Sequence, residues 1–128
     1  MGHKLLIVDD SATTRAFIRR TIHLAGYAAD AVHEAGDGRS ALELLRSHPV
    51  DLVVADLHMP VMDGAEMIAH MRRDDTLRSV PILVISADPN TSRVKELMKT
   101  SAVGYVSKPF TPEILRDALK EILGGSDA

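Results

Sequence analysis

Leu5-Leu6-Ile7-Val8-Asp9-Asp10 decides how the chain is read: four apolar residues in a row, then two acids side by side. A run this short and this uniformly apolar suits a strand covered on both faces, as in a parallel sheet. Other runs end in the same way. Leu52 to Ala55 stops at Asp56, Pro81 to Ile85 stops at Ser86, and the brief run Gly104 to Val106 leads on to Lys108. If these are parallel strands of one sheet, three carboxylates, a hydroxyl and an ammonium reach its carboxyl edge, where such sheets gather function. Three crowded acids repel one another and are tolerable only beside a divalent cation or with strongly raised pKa values. The pattern reads as a metal-dependent acidic pocket.

Between the strands the apolar spacing changes to a helical period. Ser11 can cap a helix over Thr14 to Leu24, with Phe17, Ile18, Ile22 and Ala25 on one face and Gly26 as its stop. A weaker strand, Ala31 to Ala35, follows. Asp37-Gly38 turns the chain into a helix over Ser40 to Arg46, closed by His48-Pro49. Further helices are expected over Met62 to Arg72, with Met67, Ile68 and Met71 inward, and from about Ser92 to Thr100. Thr111-Pro112, a cap with proline at the first helical position, opens a last one to about Leu123. Five βα units in a row predict an α/β fold, an open parallel sheet with helices on both faces.

Composition bounds the answer without choosing it. At 128 residues with 45% hydrophobic content the chain is read as one domain, residues 1–128 with its core at about 4–123. Net charge of −3 and 3% aromatic residues argue against a nucleic-acid surface, which wants clustered cations and stacking rings. No cysteine means no disulfide frame and no thiolate metal site, and the opening apolar run is too short for a signal peptide or a membrane span. The expectation is a soluble cytoplasmic monomer. Gly2 and His3 read equally well as native residues or as a cloning remnant.

Each candidate taken alone has an ordinary structural reading. Asp9-Asp10 could be a solvated turn before a cap, Asp56 a turn acid before Met59-Pro60, and Ser86 a strand-end hydroxyl satisfying the backbone. Tyr105, Met59, Met67 and Met71 read as packing. Their joint order at four strand ends favours the functional reading.

With these residues in place the chain resembles the receiver domain of two-component response regulators, most closely the single-domain chemotaxis (CheY-like) type. LLIVDDSATTR, DLVVADLHMPVMDG, PILVISA and GYVSKPFTPEIL carry the resemblance, which runs from Lys4 to Leu123. It implies a flavodoxin-like sheet in the order 2-1-3-4-5, an order taken over from the family. It further implies that Asp56 is the phosphoacceptor, that Asp10 and Asp56 ligate Mg²⁺ with the His58 carbonyl, and that Asp9 holds the ion through water. Lys108 and Ser86 would bind phosphoryl oxygens, and the small Ala87 would leave the group room. Ser86 and Tyr105 would form the switch, remodelling the face of the helix near Ser92, the fifth strand and the last helix. His58 and Asp88 would tune hydrolysis at the rim. The implied partners are a sensor histidine kinase or phosphotransfer protein and a downstream protein target, with no catalysis beyond the domain's own phosphorylation and dephosphorylation.

Some positions depart from the family's commonest pattern. Ser86 stands where threonine is frequent, Ser101 where glycine often is, and Gly26 to Gly36 is about two residues longer than in the chemotaxis regulator. The chain reads as a stand-alone regulator or as the receiver of a larger DNA-binding or enzymatic one. Mixed charge at Arg116, Asp117, Lys120 and Glu121 lowers the dimeric transcription-factor reading. A Mg²⁺-dependent aspartate phosphatase would want D-x-D-x-T where Asp9-Asp10-Ser11 stands, and a degenerate binding module would have lost an acid or the lysine.

Overall fold

The computed structural model describes residues 3–27, 29–87 and 103–123, with the backbone alone for 29, 30 and 103. Nine elements follow one another there: β1 His3–Val8, α1 Ala12–Leu24, β2 Ala29–Ala35, α2 Gly38–Ser47, β3 Leu52–Asp56, α3 Gly64–Arg73, β4 Ile82–Ser86, β5 Val103–Ser107 and α4 Pro112–Leu123. All strand pairs are parallel and the order is β2-β1-β3-β4-β5, as the resemblance implied. The helix expected from about Ser92 to Thr100 lies outside the described residues.

Strand alternation divides the core between two layers. Leu6, Val8, Val53, Ala55, Ile82 and Val84 pack with α2 and α3 residues such as Leu42, Leu45, Met67 and Met71. Their neighbours Leu5, Ile7, Leu52, Val54, Leu83 and Ile85 pack with Ile18 and Ile22 of α1 and Leu115 and Leu119 of α4. The strands are apolar on both faces because both are covered. Register fixes the carboxyl edge as a stagger: Val8 pairs with Ala55, Asp56 with Ile85, and Ser86 with Ser107. β3 therefore runs one residue beyond β1 and β4 one beyond β3, while β5 ends level with β4.

Several boundaries move from their sequence expectation. β2 begins at Ala29 rather than Ala31, because pairing with β1 from His3 onward overrides the weak strand propensity of Ala29 and Asp30. α1 begins at Ala12, directly after Ser11, whose side chain accepts the Thr14 N–H. α3 begins at Gly64, not Met62. Val61 has φ 65°, a left-handed conformation foreign to a helix and strained for a β-branched residue, and the Asp63 carboxylate caps the helix by accepting from the Glu66 N–H at 2.9 Å. Ser86 is the last residue of β4 rather than the first after it, and Asp56 likewise closes β3. Gly26, with φ 91°, ends α1 as expected.

Candidate functional site

Asp9 follows β1 directly, Asp56 ends β3 and Lys108 follows β5, so parallel strands of one sheet deliver all three to the same end. Lys108 Nζ lies 3.1 Å from Asp56 Oδ2 and 3.4 Å from Asp9 Oδ2, bridging both carboxylates. Asp9 and Asp56 are only 2% and 7% exposed, whereas Asp10 faces solvent. One carboxylate oxygen from each of Asp9, Asp10 and Asp56 falls within 4.8 Å of the other two, a group able to hold a cation. Three anionic oxygen donors, one of them open to water, suit a hard cation that keeps part of its hydration, which is the preference of Mg²⁺.

Asp9 is held at every polar atom. Its N–H donates to the Ala35 carbonyl at 3.0 Å, Oδ1 accepts from the Ser11 N–H at 2.9 Å and Oδ2 accepts from Lys108. Its own carbonyl accepts from Arg15 Nη1 at 2.5 Å. Burial raises the Asp9 pKa above the usual carboxylate value; the Ser11 N–H and Lys108 oppose that rise and the charge of Asp56 adds to it. At Asp9, repulsion from Asp56, the strain expected from sequence, is thus a smaller cause of the rise than desolvation. Burial likewise opposes the Lys108 charge, but the hydrogen bond and charge of Asp56, with those of Asp9, outweigh it and raise the lysine's pKa.

Around this core the remaining residues take definite places. The His58 N–H donates to Asp56 Oδ1 at 3.2 Å while its side chain is exposed at the rim. Ser86 is fully buried, and its carbonyl accepts two donors: the Lys108 N–H at 2.8 Å and the Tyr105 hydroxyl at 3.1 Å. Tyr105 is half-buried against the α2–α3 layer. Ala87 and Lys108 line an open hollow of about 510 Å³ with Thr14, Phe17, Pro109 and Phe110, the two phenylalanine rings 5.5 Å apart. Asp88 lies outside the described residues.

Two contributors escaped the sequence reading. Gly64 at the start of α3 sits so close to β3 that a Cβ there would meet Leu57 Cα at 2.9 Å and the Asp56 carbonyl carbon at 3.0 Å. Its N–H donates to the Leu57 carbonyl at 3.0 Å, pinning the helix start beneath Asp56. The signal was available in Asp63-Gly64-Ala65-Glu66, an acid cap with glutamate three residues on. Arg15 is the other contributor, and a lone arginine on a helix carries no such signal.

The response regulator receiver domain profile matches residues 5–120. Among curated proteins the chain is 35% identical over 119 residues to the chemotaxis protein CheY of Pseudomonas aeruginosa, covering 93% of this chain and 94% of that one. It is 34% identical over 125 residues to CheY1 of Helicobacter pylori, covering 97% and 99%. Among solved structures, CheY4 of Vibrio cholerae matches with a TM-score of 0.83 at 33% identity over 95% of this chain and 99% of that one. The receiver domain of the sensor histidine kinase PA1611 of Pseudomonas aeruginosa, described with magnesium coordinated in its active site cleft, matches in fold with a TM-score of 0.83 at 24% identity, covering 98% and 100%.

Proposed function

Because this chain belongs to the response regulator receiver family of two-component signalling, we propose that it is a phosphorylation-activated switch in which Asp56 accepts a phosphoryl group from a sensor histidine kinase or a phosphotransfer protein. The observation that carries this reading is Lys108 Nζ, 3.1 Å from the Asp56 carboxylate and anchored by Asp9 at 3.4 Å. A carboxylate oxygen of Asp56 attacks phosphorus, the P–N bond to the donor imidazole breaks, and the new acyl phosphate places its charge beside the ammonium. The raised Lys108 pKa keeps that ammonium charged, so it stabilises the transferring group without a proton step of its own. Asp9, Asp10 and Asp56, with the His58 carbonyl, are the residues that would hold Mg²⁺. Bound there, the ion offsets the repulsion between carboxylates and incoming phosphoryl oxygens.

Chemistry of this kind is mostly positioning, so the receiver needs little covalent machinery. The domain acts on no separate substrate. Water entering in line later breaks the P–O bond of the acyl phosphate and returns the Asp56 carboxylate, at a rate tuned by Asp88 and by His58, whose side chain is exposed beside Asp56. The apolar hollow beside Lys108, floored by Ala87 and walled by Phe17, which is 45% exposed, and by Phe110, supports docking of the donor protein over the site.

For output, the Ser86 hydroxyl bonds the phosphoryl group and Tyr105 follows it. The shared Ser86 carbonyl supports this coupling, since one peptide group touches both the Lys108 segment and the tyrosine. The surface that changes includes β5 and α4, and its partner is a downstream protein rather than nucleic acid. We read the chain as a stand-alone cytoplasmic monomer of one domain, a reading supported by the chemotaxis relatives that it spans over 94% or more of their length.

Acetyl phosphate with Mg²⁺ should add one phosphoryl mass to the wild type and none to Asp56→Asn. An equal mass gain in the variant would move the acceptor elsewhere and defeat the proposal.

A further inference from the structure

Arg15 reaches from α1 across the end of β2 to the acidic edge. Its Nη1 donates to the Asp9 carbonyl at 2.5 Å and its Nε to Glu34 Oε1 at 2.9 Å. The second Glu34 oxygen is taken by Arg19 Nη1 at 3.2 Å, so both carboxylate oxygens are fixed. The guanidinium passes over Gly36, where even a Cβ would sit in ordinary contact, 3.9 Å from Nη1. Arg15 is 20% exposed and Glu34 33%, so water screens this pair less than a fully exposed one.

These contacts close the set around Asp9. Its N–H is tied to Ala35 at the end of β2, its carbonyl to Arg15, and through Arg15 to Glu34 one residue before Ala35. Both peptide groups flanking the Asp9 Cα are thereby referenced to the same strand end. From this fixed backbone the carboxylate is received by the Ser11 N–H and by Lys108 Nζ. Asp10, exposed and next in the chain, has no side-chain partner among the described residues and inherits its direction from this turn.

We propose that Arg15, oriented by Glu34, is a positioning residue that presets the Asp9-Asp10 turn for the cation, so that the pair governs Mg²⁺ affinity without touching the ion. The inference rests on the Mg²⁺-dependent reading above. A planar guanidinium suits the task because it donates in two directions at once, to a carbonyl and to a carboxylate. A lysine in its place can serve one of them fully but not both. Removal of the outer partner of a metal ligand weakens metal binding by about tenfold or more.

The test is Mg²⁺ titration of the purified protein by calorimetry, beside thermal melts in EDTA and the ¹⁵N–¹H shift of the Ser11 amide without metal. Arg15→Ala should bind Mg²⁺ about tenfold more weakly, and Arg15→Lys should recover less than half of that loss. Glu34→Gln, a near-isosteric change at a partly exposed side chain, should lose about threefold, the scale of one partly exposed ion pair. The double variant should be no weaker than Arg15→Ala alone, since both act through one contact. The Ser11 amide should shift in each variant even without metal, which a merely global loss of stability would not produce. Wild-type affinity in Glu34→Gln, or additive losses in the double variant, would overturn the proposal, and the Glu34 result decides the matter should Arg15→Ala fail to fold. Absence of Mg²⁺ binding by the wild type would instead sink the cation reading itself, a separate outcome.

Discussion

Replacing Gly64 by alanine tests how rigidly α3 is set against the end of β3. The new Cβ would meet Leu57 Cα at 2.9 Å and the Asp56 carbonyl carbon at 3.0 Å, and would come closer still to that carbonyl's oxygen. All three are backbone atoms, so no side chain can swing aside. Relief requires that helix and strand separate by roughly 0.5–1 Å toward ordinary contact distance. Overpacking of this severity costs about 3 kcal/mol, while the lower chain entropy of unfolded alanine returns about 0.5–1 kcal/mol. The net loss is about 2 kcal/mol, and at about 4 °C per kcal/mol for a domain of this size the melting temperature should fall by about 8 °C. Since Asp56 is the residue displaced, phosphorylation by acetyl phosphate should slow by about a hundredfold, the scale of a 1 Å misplacement. Gly36→Ala, whose Cβ would find nothing nearer than Arg15 Nη1 at 3.9 Å, serves as the control and should change stability by less than about 0.5 kcal/mol. If Gly64→Ala melts within 2 °C of wild type and labels at the wild-type rate, the β3–α3 connection is pliant and the steric argument fails.

Asp9→Asn in EDTA should be more stable than wild type at pH 7, because burial raises the Asp9 pKa and so penalises its charged form. The folded state then binds the proton more tightly than the unfolded chain does, so wild-type stability rises as pH falls through the raised pKa; the gap to the variant should narrow there in pH-stepped urea melts, and a widening gap would contradict the sign. Asp10→Asn should weaken Mg²⁺ binding at least about tenfold yet change EDTA stability by less than about 0.5 kcal/mol, since its carboxylate is exposed and screened; a melt shift above that bound would show real repulsion. Tyr105→Phe, losing the hydroxyl donated to Ser86, should destabilise by about 1 kcal/mol in urea melts. Ser86→Ala should still label at Asp56 while beryllofluoride no longer shifts the Tyr105 NMR signals; shifts equal to wild type would leave Tyr105 as ordinary packing.

The strand ends were legible because two-sided burial writes a continuous apolar run, and the first polar residue after it marks the edge. That rule marked Asp9, Asp56 and Ser86 before any contact was known, whereas Lys108 stands one residue past the first polar position, Ser107, and was placed by the resemblance. The rule could not rank the forces among them. From sequence the acids were expected to strain the site by mutual repulsion, but depth of burial is set by tertiary packing, and it is depth that raises Asp9. Nor could it find Arg15 and Glu34, 19 positions apart, which meet only because β2 lies beside β1 and α1 packs over it. The shift of the α3 start from Met62 to Gly64 was readable in the Asp63 cap, which the run of apolar residues around Met62 obscured.

The stagger of the carboxyl edge bears on which insertions the chain could accept. Lys108 stands one residue past Ser107, the partner of Ser86, and two past Val106, which lies level with Asp56 across β4, so its ammonium must fold back along the sheet to reach Asp56. One extra residue within β4 or β5 would slide that end by about 3.3 Å and exchange its faces. Ser86 or Lys108 would then leave the site altogether, with no neighbouring side chain able to substitute. The segment between Gly26 and Gly36 runs into the outermost strand of the order, which pairs with β1 alone. Length added ahead of Ala29 leaves Glu34 and Ala35 in register with Asp9 and the distances between Asp9, Asp56 and Lys108 as they are, so inheritance of this pocket constrains the count of residues in the strands far more than in the turn before β2.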